Sequence, residues 1–212
     1  MQILKKEDKE RFVFLYHLYT TLYLNDAACH WVKDTQKVIN TNDKEACKKY
    51  GALKKRADNY LRHINKTLKS SIILLAEYNE SMDLINDNDL CKFCNSIALV
   101  YKKYGIEERI AHIETMRILI ELAQGACRES FRVMKLDEVW SLYEMFKEMS
   151  DIANDLWVWS IRKVKIEKEE PLDIFSYKSV NKRLEKIKSN IFDSDNFIRV
   201  YNKMLREVNG RI

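Results

Sequence analysis

The chain has 212 residues, a formal net charge of +5, 46% hydrophobic residues and 33% charged residues. That is enough apolar chain to bury one sizeable core. Four Gly and one Pro are too few to turn the corners of many strands, so all-β and α/β folds are disfavoured.

The first predicted helix covers residues 8–39. Phe12, Leu15, Tyr19, Leu22, Tyr23 and Trp31 mark its buried side. Residues 12–19 are apolar nearly all round, broken only by His17, as in a helix wrapped by others. Asn40-Thr41-Asn42 forms a polar connection, and Asp43 is placed to cap the next helix.

The second helix is read as unbroken over residues 43–85. Its apolar seam is Tyr50, Leu53, Ala57, Tyr60, Ile64, Leu68, Ile72, Leu75, Tyr78, Met82 and Ile85. Ten steps of three or four cover 35 residues, the 3.5 period of a helix buried along a partner. At about 1.5 Å per residue such a rod is about 60 Å long. Its outer ridge is basic, with Lys48, Lys55, Arg62 and Lys69 seven apart and Lys49, Arg56 and His63 alongside. Residues 44–69 hold nine Lys/Arg against two acids.

Asn86-Asp87-Asn88-Asp89 ends that helix. A short connector helix follows at residues 90–104, closed by Gly105. The next helix spans residues 107–134, with Ile110, Ile113, Met116, Ile120, Ala123, Cys127, Phe131 and Met134 on one face. Another runs over residues 137–169, with Val139, Leu142, Phe146, Met149, Ala153 and Leu156 as its seam, and Pro171 stops it. Ser176 and then Asp193 or Ser194 are placed to cap two smaller helices. The expectation is an all-α fold: an elongated antiparallel bundle of four long helices over residues 1–170, a short connector, and a C-terminal helical hairpin over residues 171–212.

Cys91-Lys92-Phe93-Cys94 supplies half a tetrahedral zinc site, but there is no second CxxC to complete it. Its thiols are read as seam residues, without metal or disulfide. The Glu-x-x-His hallmark of di-iron bundles is absent, because Phe14, Ala27, Tyr60 and Arg109 stand three before the four His. Asp26, His30 and Asp34 share one helix face and are read as a polar stripe. Trp157 and Trp159 lie two apart, so they point nearly opposite ways. One is expected in the core and the other exposed or in an interface, unless the C-terminal helices cover it.

Arg56-x6-His63 is similar to the Arg-x4–6-His element of HEPN-type ribonucleases, which are helical, over eight residues. Arg11-x5-His17 matches the same element. The resemblance implies a helical ribonuclease.

No motif identifies a chemistry, a cofactor or a small-molecule substrate. The expected function is therefore a non-enzymatic structural or protein-interaction protein, such as a subunit of a viral particle or scaffold. It would act by self-association or through a protein partner, with Trp157 and Trp159 as candidate interface residues. The alternatives are nucleic-acid binding through Lys48, Lys55, Arg56, Arg62, His63 and Lys69, and the HEPN-like ribonuclease. With no apolar leader segment and no run near the ~20 apolar residues of a membrane span, a reducing, cytoplasmic location is expected, which suits five Cys inside helical patterns.

Overall fold

A computed structural model of the chain describes residues 6–67, 94–95, 99, 102 and 107–168. These residues are mostly helical and include no strand. Helix α1 is Lys6–Asp34, α2 is Lys44–Thr67, α3 is Glu108–Met134 and α4 is Asp137–Lys168. Residues 68–85 of the expected second helix lie outside the described residues, as do Cys91 and residues 169–212. Of the expected connector helix, Cys94, Asn95, Leu99 and Lys102 are described, and they are helical.

The connections have local causes. The expected first helix gives way at Thr35 to a 3-10 turn, Thr35–Val38. Asn40 Oδ1 then accepts the Asn42 N–H at 3.0 Å and Asn40 O accepts the Asp43 N–H at 3.0 Å. Asp43 caps α2, its Oδ1 accepting the Ala46 N–H at 3.1 Å, which satisfies one of the free donors of the first turn. Between α3 and α4 the chain reverses at Lys135, in the left-handed conformation at φ 55°. Its N–H reaches Phe131 O at 2.9 Å. That position usually favours Gly, and a Lys there accepts the steric cost.

The four helices pack as a ring in which α3 touches α1 and α4, and α2 closes it against α4 and α1. Neighbours run in opposite directions. Ser130 Oγ donates to His17 O at 3.0 Å while Thr35 Oγ1 reaches Met116 Sδ at 3.2 Å, so α1 and α3 are antiparallel. Lys49 lies 3.7 Å from Asp155, and Arg56 lies 2.8 Å from Glu148, so α2 and α4 are antiparallel too. Among the described residues no helix is long and apolar enough to cross a membrane.

The α4 seam is buried as its spacing requires. Val139, Leu142, Phe146, Met149, Ala153 and Leu156 are each 0% exposed. Phe146 meets Tyr60 of α2 edge-on at 5.6 Å, and cutting it to Ala would cost about 3–5 kcal/mol. Tyr50, Leu53, Ala57 and Tyr60 of the α2 seam are also buried. On α3 the row from Ile110 to Cys127 is buried, and Phe131 and Met134 are half-buried.

Helix α1 packs Leu22, Tyr23 and Trp31 against the core as expected, but they are not its most buried residues. Of the residues marked as its buried side, Leu22, Tyr23 and Trp31 are only half-buried. The side chains of Phe12, Leu15 and Tyr19 lie outside the described residues. The seam is Leu18, Thr21, Asn25, Ala28, Val32 and Thr35, all 0% exposed. It advances by three and four residues but recruits three polar side chains. Each is hydrogen-bonded inside the bundle, as burial demands. Thr21 Oγ1 and Ser130 Oγ are 2.5 Å apart, Asn25 and Cys127 exchange contacts at 3.4 and 3.5 Å, and Thr35 Oγ1 donates to Trp31 O at 2.7 Å.

Candidate interaction face

Helix α2 carries its cations on two faces. At 100° per residue, Lys48, Lys55 and Arg62 fall within about 40° of one another, and Lys49 and Arg56 lie about 80–100° round the helix. The second pair faces α4. Lys49 Nζ is 3.4 Å from Glu45 and 3.7 Å from Asp155, and Arg56 Nε is 2.8 Å from Glu148 Oε2. On the other flank Lys54 Nζ donates to Gln36 Oε1 beside α1 at 3.2 Å. These side chains stitch α2 to its neighbours.

The outward set behaves differently. Lys48, Lys55 and Arg62 are exposed. Arg62 donates to Asn59 Oδ1 at 2.7 Å, a neutral partner. Asp58, the acid nearest in sequence, forms an ion pair with neither Lys55 nor Arg62 among the described residues. Gly51 and Ala52 are exposed between Lys48 and Lys55, with nothing within 4 Å of a Cβ built on Gly51. The His63 side chain and Lys69 lie outside the described residues. Arg56, shared between the basic ridge and the HEPN-like spacing, is engaged with Glu148. His17, in the second such spacing, is half-buried; burial lowers its pKa from 6.5, against the opposing pull of Glu129.

Trp157 and Trp159 of α4 make intramolecular contacts. Trp157 is 9% exposed, with the Arg117 guanidinium 5.2 Å from its ring centre. Arg117 in turn grips the fully buried Glu114 through two 2.7 Å hydrogen bonds. Trp159 is half-buried and donates its indole N–H to Asp43 Oδ2 at 3.0 Å, beside Lys163 at 3.4 Å. Desolvation works against the Asp43 carboxylate, but hydrogen bonds from Ala46, Trp159 and Lys163 outweigh it and lower its pKa. A cleft of about 30 Å³ lies here, lined by Val38, Ile39, Arg109 and Trp159 among others. It is far smaller than small-molecule sites, which occupy roughly 300–1,000 Å³. The well-exposed tryptophan is Trp140, 42% exposed against Phe131 and Tyr143. Neither its spacing nor its neighbours set it apart in the sequence.

Among the described residues the other titratable groups are dispersed or buried. His30 Nε2 is 3.8 Å from Asp34, and both are solvent-facing with Asp26. The hydrogen bond from Lys37 chiefly lowers the Asp34 pKa. Cys29, Cys47 and Cys127 are free thiols. Burial pushes Cys29 and Cys127 up to about 12, far from a reactive thiolate. Among the described residues no three His, Cys, Asp or Glu converge as a metal site. Comparison with known protein families, curated proteins and solved structures finds no match.

Proposed function

We propose that this chain is a non-enzymatic helical interaction module, a building block of a larger assembly, that docks an acidic protein surface on the outward face of α2. One observation carries the reading: the fold neutralises the cations of α2 that face α4 and leaves Lys48, Lys55 and Arg62 exposed with no acidic partner among the described residues. Interior polar residues that could suggest chemistry instead satisfy one another across α1 and α3. Trp157, 9% exposed against Arg117, offers little surface to a partner, which favours the α2 face over it.

Nucleic-acid binding is the second reading, favoured by the same row, which extends about 20 Å along the helix. A phosphate partner releases counterions, so log affinity falls with log salt by roughly 0.7–0.9 per contact, or about 2–3 for three contacts. The test titrates the full chain and the variant Lys48→Gln/Lys55→Gln/Arg62→Gln with a helical poly-glutamate peptide and with DNA and RNA oligonucleotides across a salt series. Peptide binding lost in the variant supports the protein-docking reading. Oligonucleotide binding with the steep slope, lost in the variant, replaces it with the nucleic-acid reading. Binding of neither probe overturns both.

A further inference from the structure

We infer that the acidic surface received by the α2 face is a second copy of this chain, presented by its α4. The inference rests on the protein-docking reading above. On the solvent side of α4, Asp137, Glu144 and Asp151 are exposed and seven residues apart, the same step that separates Lys48, Lys55 and Arg62 on α2. Glu148 and Asp155 lie alongside this row, 60% and 69% exposed. Each row has a pitch of about 10.5 Å.

The rows also stand at matching heights. The Arg56–Glu148 and Lys49–Asp155 pairs both set residue n of α2 level with residue 204 − n of α4. Lys55 is then two residues, about 3 Å, from the level of Asp151, and Arg62 is equally close to the level of Glu144. Within one chain these charges form no ion pair among the described residues, because the two rows point outward on either side of the α2–α4 contact. A second copy, related by a two-fold axis parallel to the helices, puts α2 of each molecule over α4 of the other. Lys55 then meets Asp151 of the second copy and Arg62 meets Glu144, and symmetry repeats both pairs. Gly51 and Ala52, exposed between the lysines, let the facing helix approach closely.

The acidic row also chooses between partners. A phosphate backbone laid along the basic row runs beside the carboxylates of α4 and is repelled by them. A protein surface carrying both signs is attracted along both rows. Exposed pairs are individually weak, so the dimer is salt-sensitive and dissociates on dilution.

The experiment measures mass by sedimentation velocity on the full chain, over a dilution series at low and high salt. The variants are Lys55→Glu/Arg62→Glu, Glu144→Lys/Asp151→Lys, and all four changes together, each checked for helicity by circular dichroism. Either pair of reversals alone should weaken self-association roughly tenfold to a hundredfold. The four-fold variant, and an equimolar mixture of the two double variants, should recover it. A wild type that stays monomeric, or a dimer indifferent to these variants, overturns the inference. The poly-glutamate titration on the same samples separates the two failures: peptide binding that depends on the α2 row leaves the docking reading standing, and its absence removes both.

Discussion

Arg117→Met strips the guanidinium from a carboxylate that has no exposure to water. Glu114 is 0% exposed, and Arg117 binds both its oxygens at 2.7 Å. Removing one partner of a buried pair costs about 3–5 kcal/mol, because the remaining charge sits in a poorly polarisable interior. Arg117 is 18% exposed, so water reaches the gap and the lower end, about 3 kcal/mol, is expected. Met keeps the apolar stem against Trp157, and the lost cation–π contact adds about 0.5–1 kcal/mol. For a chain of this size that total of about 3.5–4 kcal/mol is a fall of roughly 7–16 °C in Tm. Urea unfolding, followed by far-UV circular dichroism and tryptophan fluorescence, reads the loss directly. Adding Glu114→Gln removes the charge and should recover at least about half of it. Acid should narrow the gap between Arg117→Met and wild type, since a carboxylate deprived of its guanidinium takes up a proton more readily. A loss below about 1 kcal/mol near neutral pH, or a double variant no better than the single one, would refute the reasoning.

Asp43→Ala removes the α2 cap, about 1 kcal/mol, and the Trp159 hydrogen bond, about 1 kcal/mol more; Asp43→Asn keeps most of both, and equal melting of the two variants would contradict this. Alkylation of the folded chain near neutral pH should label Cys47 and spare Cys29 and Cys127, whose pKa burial raises to about 12; mass spectrometry showing all three labelled at one rate would sink the assignment. Burial lowers the pKa of His17 and of His112, the latter packed 4.7 Å from Trp31. The unfolded chain therefore binds these protons first, and their contribution to stability is complete above about pH 6.5 and lost as pH falls through the lowered values. The urea midpoint should fall between about pH 7 and 5, and His17→Gln/His112→Gln should flatten the slope; a flat wild-type profile would count against it.

What the sequence disclosed follows from how strictly each helix separates polar from apolar positions. Helix α4 steps by three and four through Val139, Leu142, Phe146, Met149, Ala153 and Leu156 with charges opposite, so its seam was readable. The Asp43 cap was readable because its hydrogen bond is local. Helix α1 is apolar on most sides, so periodicity could not rank its faces. Its true seam runs through Thr21, Asn25 and Thr35, whose partners lie in part on α3. The Trp159–Asp43 bond joins residues 116 apart, and no local pattern encodes it. The acidic spacing Asp137, Glu144, Asp151 is present in the sequence, but nothing local ties it to the basic row. It acquires meaning only when the packing sets it at the height of the basic row.

The basic row should matter little to the fold, and that separates a surface kept for binding from one kept for stability. Lys48, Lys55 and Arg62 have no ion pair among the described residues, and surface substitutions of this kind usually stay within about 0.5 kcal/mol. Changing all three to Gln also relieves the like-charge contact between Lys44 and Lys48, four apart on the same exposed face. Arg56, on the same helix, is the internal control. Arg56→Glu turns its 2.8 Å attraction to Glu148 into repulsion. The pair is 39% and 60% exposed, so screening holds the cost to about 1 kcal/mol. The expected pattern in urea unfolding is a triple Gln variant close to wild type and a less stable Arg56→Glu. Three substitutions that cost nothing in stability but abolish association identify residues whose value lies outside the monomer. Should the triple variant lose more than about 1 kcal/mol, the row is holding α2 in place. Its charges then need no partner, and the docking surface loses the observation on which it stands.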